Sequence, residues 1–358
     1  MPSLKEIKVR INSISSTLAI TSAMKMVAAA KLQKAQMAIQ NMLPYERRLY
    51  SMLLDLMGAM NISAAASEDG SVRGSGSAER GFDQSGDRLS LSNRHDLAGM
   101  DGAYSLMAQR EVRKVAIVAF ASNSSLCGAF NSNAIREATA VINEYRASGL
   151  RDSDIVVYSV GRKMAEAMRK LGFPSPADFT KMSDSPSYEA ASALAQELLD
   201  GFVSGRFDKV ELVYNHYKST SSQPTTRQTY LPLSLADATA DLQAGKIADS
   251  ASESDTNRGA EPVGAPVVRQ GSPTTEDLIV EPSKEALIAT LLPKVIRLRI
   301  FTTLLDSAAA EHAARTVAMQ LATDNGNDLL QELTLEYNKG RQQKITSEIL
   351  DLVGGSMQ

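Results

Sequence analysis

The chain has 358 residues, enough for one large domain or two ordinary ones, with a hydrophobic content of 43% and a net charge of −3. That balance fits a soluble globular chain and disfavours a general polyanion binder. Aromatics at 5% and the absence of tryptophan leave little to stack single-stranded nucleic acid, so no nucleic-acid partner is expected.

No run of apolar residues is long enough to span a membrane. The opening MPSLKEIKVRI has neither an apolar signal core nor an Arg/Ser-rich transit character, and a cytoplasm-like compartment is expected. Cys127 is the only cysteine, which excludes an internal disulfide and a CxxC metal or redox site.

Residues 1–60 read as one helix. A 3-4 spacing from Ile7 passes through Ile11, Ile14, Leu18, Thr21, Lys25, Ala28, Leu32, Ala35, Ile39 and Met42, then through Glu46 to Leu49, Leu53, Leu56 and Met60. That is the period of a coiled coil. Such a helix reaches about 80 Å, with Pro44 as a point where it can kink. It carries eight Lys/Arg against three Asp/Glu.

Residues 61–111 lose this pattern and read as a flexible Gly/Ser insert. The Gly70, Gly74 and Gly76 cluster follows no strand and opens no helix, so it lacks the context of a phosphate loop.

Residues 112–233 alternate strand and helix patterns. Strands are expected over 114–120, 154–160, 209–217 and 226–233. Helices are expected over 131–148, 162–171 and 185–205, the last with a serine cap. The alternation predicts an α/β, Rossmann-like three-layer domain with a mainly parallel sheet. Its first strand-to-helix turn has no GxGxxG, and nothing matches GxxxxGK[ST], so no nucleotide or other cofactor is expected.

Residues 234–283 form a second flexible insert, acidic and rich in Ala, Ser and Pro. Residues 284–358 read as a short helix ending at Pro293, then a long helix from Lys294 to about Val353. Two long terminal helices around one α/β domain imply an antiparallel two-helix coiled coil on a globular base.

The second helix has a weaker seam. Phe301, Leu305, Ala308, Met319, Ala322, Leu329 and Leu333 suit it, but His312, Arg315 and Gly326 share the spacing. Two readings stay open: an imperfect coiled coil, or a slim shaft inside a surrounding sleeve, smoothed by Ala28–Ala30 and Ala308–Ala310.

The ending ARTVAMQLATDNGNDLLQELTLEYNKGRQQKITSEILDLVGG and the opening KEIKVRINSISSTLAITSAMKMVAAAKLQKAQ together resemble the gamma-subunit family of F-type ATP synthases. The resemblance covers about 1–60, 112–233 and 284–358. Ile345, Thr346, Glu348, Asp351 and Gly355 match the family's closing pattern, with Ser356 in place of an alanine. Where the family shows an Asp-Arg-Gly-Leu-Cys-Gly turn, this chain has Asn123, Ser124, Ser125, Leu126, Cys127 and Gly128, without the charged pair.

The resemblance implies a central rotor shaft without a catalytic site of its own. It would couple proton-driven rotation of a c-ring to the cycling of catalytic sites on beta subunits, in ATP synthesis or hydrolysis. The implied partners are an alpha/beta hexamer, the epsilon subunit and the c-ring. The implied location is peripheral, on the cytoplasmic face of the bacterial inner membrane.

By the resemblance, Arg341 and Gln342 touch a loop of the beta subunit, with Thr346 and Glu348 beside them. A guanidinium offers a planar fork of donors to a carboxylate. The plain alternative is a solvated helix face. Met24, Lys25 and Met26 form the matching N-terminal contact, against ordinary coiled-coil packing, and Leu126, Cys127 and Gly128 form the base turn. His95, His216 and His312 show no metal-binding spacing, and no metal is expected. Two other classes remain on the residues alone: an α/β enzyme with helical arms, and a coiled-coil scaffold unrelated to rotation.

Overall fold

A computed structural model describes residues 3–59, 106–233, 281 and 284–356. The Gly70, Gly74 and Gly76 cluster, Met60, His95, and the inserts except for residues 106–111 and 281 lie outside the described residues. Leu106, assigned to the first insert, is buried in the core, and its carbonyl accepts from Leu233 N at 3.0 Å.

The elements in order are α1 (Leu4–Ala59), β1 (Val115–Phe120), α2 (Phe130–Ala147), β2 (Ile155–Val160), α3 (Arg162–Lys170), α4 (Thr180–Asp184), α5 (Tyr188–Val203), β3 (Lys209–Asn215), β4 (Thr225–Leu231) and α6 (Lys284–Ser356). The sheet order is β2-β1-β3-β4. β1 runs parallel to β2 and to β3, and β4 closes the edge antiparallel to β3. The expected mainly parallel α/β domain is the one observed.

Strand alternation divides the core into two faces. Val115, Ile117 and Ala119 point to α2 and α3, where Val141, Ile142, Met164 and Met168 cover them. Ala116, Val118 and Phe120 point the other way, against Leu194 and Leu198 of α5, Leu292 and Ile296 of α6, and Leu53 and Leu56 of α1. The ends of both long helices are therefore core elements of the base domain.

Each flank is locally explained. Ser187 Oγ accepts from Ala190 N at 3.3 Å and caps α5. The short α4 was not expected; Asp178 accepts from Thr180 N at 2.9 Å and Met182 plugs it into the core.

The C-terminal helix differs from expectation at Pro293. It does not stop there but runs unbroken over 73 residues, about 110 Å. Proline removes one hydrogen bond and crowds the preceding turn. Ile288, Leu292, Val295 and Ile296, all at most 2% exposed, anchor both sides of it, and that burial outweighs the local penalty. α1 likewise continues through Pro44 for 56 residues, about 84 Å.

Candidate functional site

α1 and α6 pair antiparallel outside the base. Arg299 Nη1 donates to Tyr50 Oη at 2.8 Å near the base. Further out Lys25 Nζ donates to Gln320 Oε1 at 2.7 Å, and Thr323 Oγ1 to Thr21 Oγ1 at 3.3 Å. Every expected α1 seam position from Ile7 to Leu56 is buried or half-buried.

On α6 the seam drifts by one residue. Ala322 and Leu329 face outward, and Thr323, Leu330, Tyr337 and Gly340 turn inward along with Gly326 and Leu333. The glycines explain how the outer shaft closes. A side chain at Gly326 would meet Leu18 Cδ2 at 2.6 Å, and one at Gly340 would meet Leu4 Cδ2 at 3.1 Å. Gly326 and Gly340 stand two heptads apart, as do the leucines that cover them. That matched spacing was the signal available in the sequence.

Gly340 is thus the last seam position among the described residues, because α1 begins at Leu4 opposite it. From Arg341 to Leu350 every residue is exposed, and among the described residues no second helix accompanies α6 on to Ser356, about 24 Å beyond the pair. Ile345, Ile349, Leu350, Leu352 and Val353 on this overhang are 48–74% exposed. At about 100° per residue they spread over roughly half the circumference. An apolar face that wide, open to water, calls for a partner that covers it.

The four expected tip residues fall on two stripes. Arg341 and Glu348 share one; Glu348 lies 3.7 Å from Lys344. Gln342 and Thr346 share the other, a shallow groove with Lys339, Gln343, Ser347 and Leu350. Thr346 Oγ1 donates to Gln342 O at 2.9 Å. The stripes lie roughly 130° apart around the helix.

Of the N-terminal trio, Lys25 bonds across the shaft, Met24 is half-buried, and Met26 points outward at 63% exposure. Val9, Ile20, Val27 and Met37 are also exposed large apolar groups on α1.

The base turn is held inward rather than offered freely. Arg315 of α6 donates to Ser125 O at 2.7 Å and to Ser124 Oγ at 2.8 Å. Asn131 Nδ2 donates to Cys127 Sγ at 3.2 Å, and Cys127 is buried. Leu126, at φ 69°, stands 59% exposed at the tip of the turn. Gly128 lies beside Ala318, whose Cβ would be 3.9 Å from an added side chain.

Arg315 also pairs with the buried Glu311 at 2.6 Å. Burial pushes the Glu311 carboxyl up, and Arg315 opposes that. His312, beside them, is pushed down to about 4, first by burial and then by Lys31 and Arg315. Its Nδ1 is buried without a hydrogen-bond partner. On the other flank His216 Nδ1 and Asp306 Oδ2 lie 2.6 Å apart, and the carboxylate holds the imidazole above its ordinary value.

Ala309, Ala310 and Ala313 are fully buried where the base domain, α1 and α6 converge. They serve close packing at the neck and not a smooth outer surface. Asp306, Tyr217 and Gln36 were not expected to matter, and nothing in their spacing marks them; Arg315 stood out only as a misfit on the seam, and its partners in the base turn lie far away in sequence.

A family model described as ATP synthase matches residues 3–357. The ATP synthase gamma chain of Phocaeicola vulgatus is 46% identical over 357 residues, covering 100% of both chains. That of Bacteroides thetaiotaomicron is 44% identical over 358 residues, again covering 100% of both. The gamma chain of Flavobacterium johnsoniae is 35% identical, covering 99% of this chain and 98% of that one. These matches run across both inserts. Among solved structures, a chain of the Euglena gracilis mitochondrial ATP synthase (OSCP/F1/c-ring, rotational state 3) aligns over 99% of this chain and 93% of its own. Its TM-score is 0.52 at 18% identity, an agreement of fold.

Proposed function

The chain belongs to the ATP synthase gamma-chain family, and on that premise we propose that it is the central rotor shaft of an F-type ATP synthase. The observation that carries this is the overhang: a stretch of α6 beyond the described part of α1 on which Ile345, Ile349, Leu350, Leu352 and Val353 are exposed. Such a helix is stable in isolation only at a cost, and a sleeve removes that cost. An alpha/beta hexamer is the sleeve proposed. The base domain faces the epsilon subunit and the c-ring, and the assembly sits peripherally on the cytoplasmic face of a bacterial inner membrane.

The chain itself does no bond chemistry in this reading; ATP is made or split on the beta subunits. Three such sites of identical sequence meet different faces of one asymmetric shaft. A shaft biases a site only through differential interaction energy. The Arg341/Glu348 stripe and the Gln342/Thr346 stripe are separated by roughly a third of a turn. Turning the shaft by one third replaces one stripe with the other in front of a given beta subunit. Arg341 and Gln342 then act as an angle-dependent catch, the guanidinium toward a carboxylate and the amide toward neutral acceptors.

The test is to mix the purified chain with alpha and beta subunits and measure complex mass and ATPase rate. One copy per hexamer with raised ATPase is expected. No complex, or several copies per hexamer, overturns the reading. For the catch, the double variant Arg341→Ala/Gln342→Ala is expected to assemble normally but to synthesise ATP more slowly under load; synthesis at the wild-type rate removes the catch and leaves the shaft.

A further inference from the structure

A rotor must pass torque between its base and its shaft, and the neck shows how the two are joined. β1 and β3 are parallel neighbours, so the segments after them leave the same end of the sheet. The segment after β1 reaches α6 through Arg315, which donates to Ser124 Oγ and Ser125 O. The segment after β3 reaches α6 through Asp306, which accepts from Tyr217 N at 2.8 Å and bonds His216. Asp306 and Arg315 are nine residues apart. At about 100° per residue that puts them on opposite sides of α6, roughly 14 Å apart along it.

Between these contacts Ala310 packs against Cys127 and Phe130, with Tyr217 and Ala314 alongside. Tyr217 goes further. Its hydroxyl accepts from Gln36 Nε2 at 2.6 Å, so the same segment also holds α1.

We propose that these two segments form a pair of jaws that brace the shaft against twisting relative to the base, with Arg315, Asp306 and Tyr217 as its positioning residues. Two contacts on opposite sides of a rod resist rotation about its axis as a couple, adding to the apolar packing of α1 and α6 in the base core. Hydrogen-bonded and packed elements are what carry such coupling. In this chain the turn that lacks the family's charged pair thereby works inward, on its own shaft. The inference rests on the rotor reading above.

The test uses the assembled alpha/beta complex fixed to glass, with a gold rod on an exposed Lys170→Cys of the base; Cys127 is buried and escapes labelling. The readout is the angular variance of the rod while the shaft tip is held in a catalytic dwell. Arg315→Met is made together with Glu311→Gln, so that no buried charge is stranded. Asp306→Ala opens the other jaw. Tyr217→Phe, which loses only a hydroxyl, keeps the test available if a larger change prevents folding.

Each variant is expected to hydrolyse unloaded ATP at the wild-type rate with a raised variance, least in Tyr217→Phe, which loses one hydrogen bond, and more in the two jaw variants, which each lose two or more. Arg315→Lys should recover part of the stiffness. Unchanged variance in Tyr217→Phe and in either jaw variant overturns the brace. A wild-type complex that fails to assemble or turn overturns the rotor reading instead, so the two failures are distinct.

Discussion

Single residues decide how closely the shaft closes. At Gly326 an alanine gains helix propensity worth about 1 kcal/mol, but Leu18 must move to admit it, at a cost of about 1–3 kcal/mol. At Gly340 the contact with Leu4 is looser and lies at the end of α1, so the propensity gain wins. Gly326→Ala is therefore expected to lower the melting temperature slightly and Gly340→Ala to raise it. The reverse order in thermal melts would contradict the packing described.

The two neck histidines titrate in opposite senses. His312 is held at about 4, below its ordinary 6.5, so the unfolded chain binds its proton first as pH falls. Its contribution is complete above pH 6.5 and is lost between 6.5 and about 4. His216 is raised above 6.5, so its contribution is present below that value and is lost as pH climbs through the folded value. His312→Leu should flatten the acid side of the stability profile and leave the His216 side unchanged, read by denaturant titration across pH 4–8. An unaltered acid limb would contradict the assignment.

At the scale of elements, α6 is the case where local and tertiary preferences part. Pro293 breaks the hydrogen-bond ladder, yet core side chains on both sides hold the helix in line. Pro293→Ala should then stabilise the chain by roughly 1 kcal/mol, since the restored bond outweighs the added freedom of the unfolded chain. A lower melting temperature would show that the proline shapes the helix to fit the sheet.

The same element shows what the sequence makes legible. The α1 seam could be read position by position, because apolar residues recur there with few rivals. On α6 the adjacent pairs Ala322/Thr323 and Leu329/Leu330 offer two registers of equal appeal, and the apolar-looking choice faces outward. Thr323 instead sets its hydroxyl within hydrogen-bond distance of both Met319 O, at 2.8 Å, and Thr21 Oγ1, at 3.3 Å, which no periodicity reveals. The sheet strands were readable as buried runs; α4, with five residues, was too short to show a period. The tip residues are legible in the sequence only through the family resemblance, but their division into two stripes follows from helix geometry once the start of α1 is known. The neck contacts link Arg315 to Ser124 and Gln36 to Tyr217, across more than 180 residues in each case, and a single sequence carries no trace of them.

At the scale of the whole molecule, a base domain, a braced neck, a glycine-closed shaft and an apolar overhang make one asymmetric lever. On the proposed function this lever turns inside its partners. The direct measurement fixes the alpha/beta hexamer to glass, places a gold rod on Lys170→Cys of the base, adds ATP and follows the angle of the rod. Unidirectional steps of a third of a turn are predicted. A rod that stays still, or that diffuses in both directions while ATP is hydrolysed, would contradict the account.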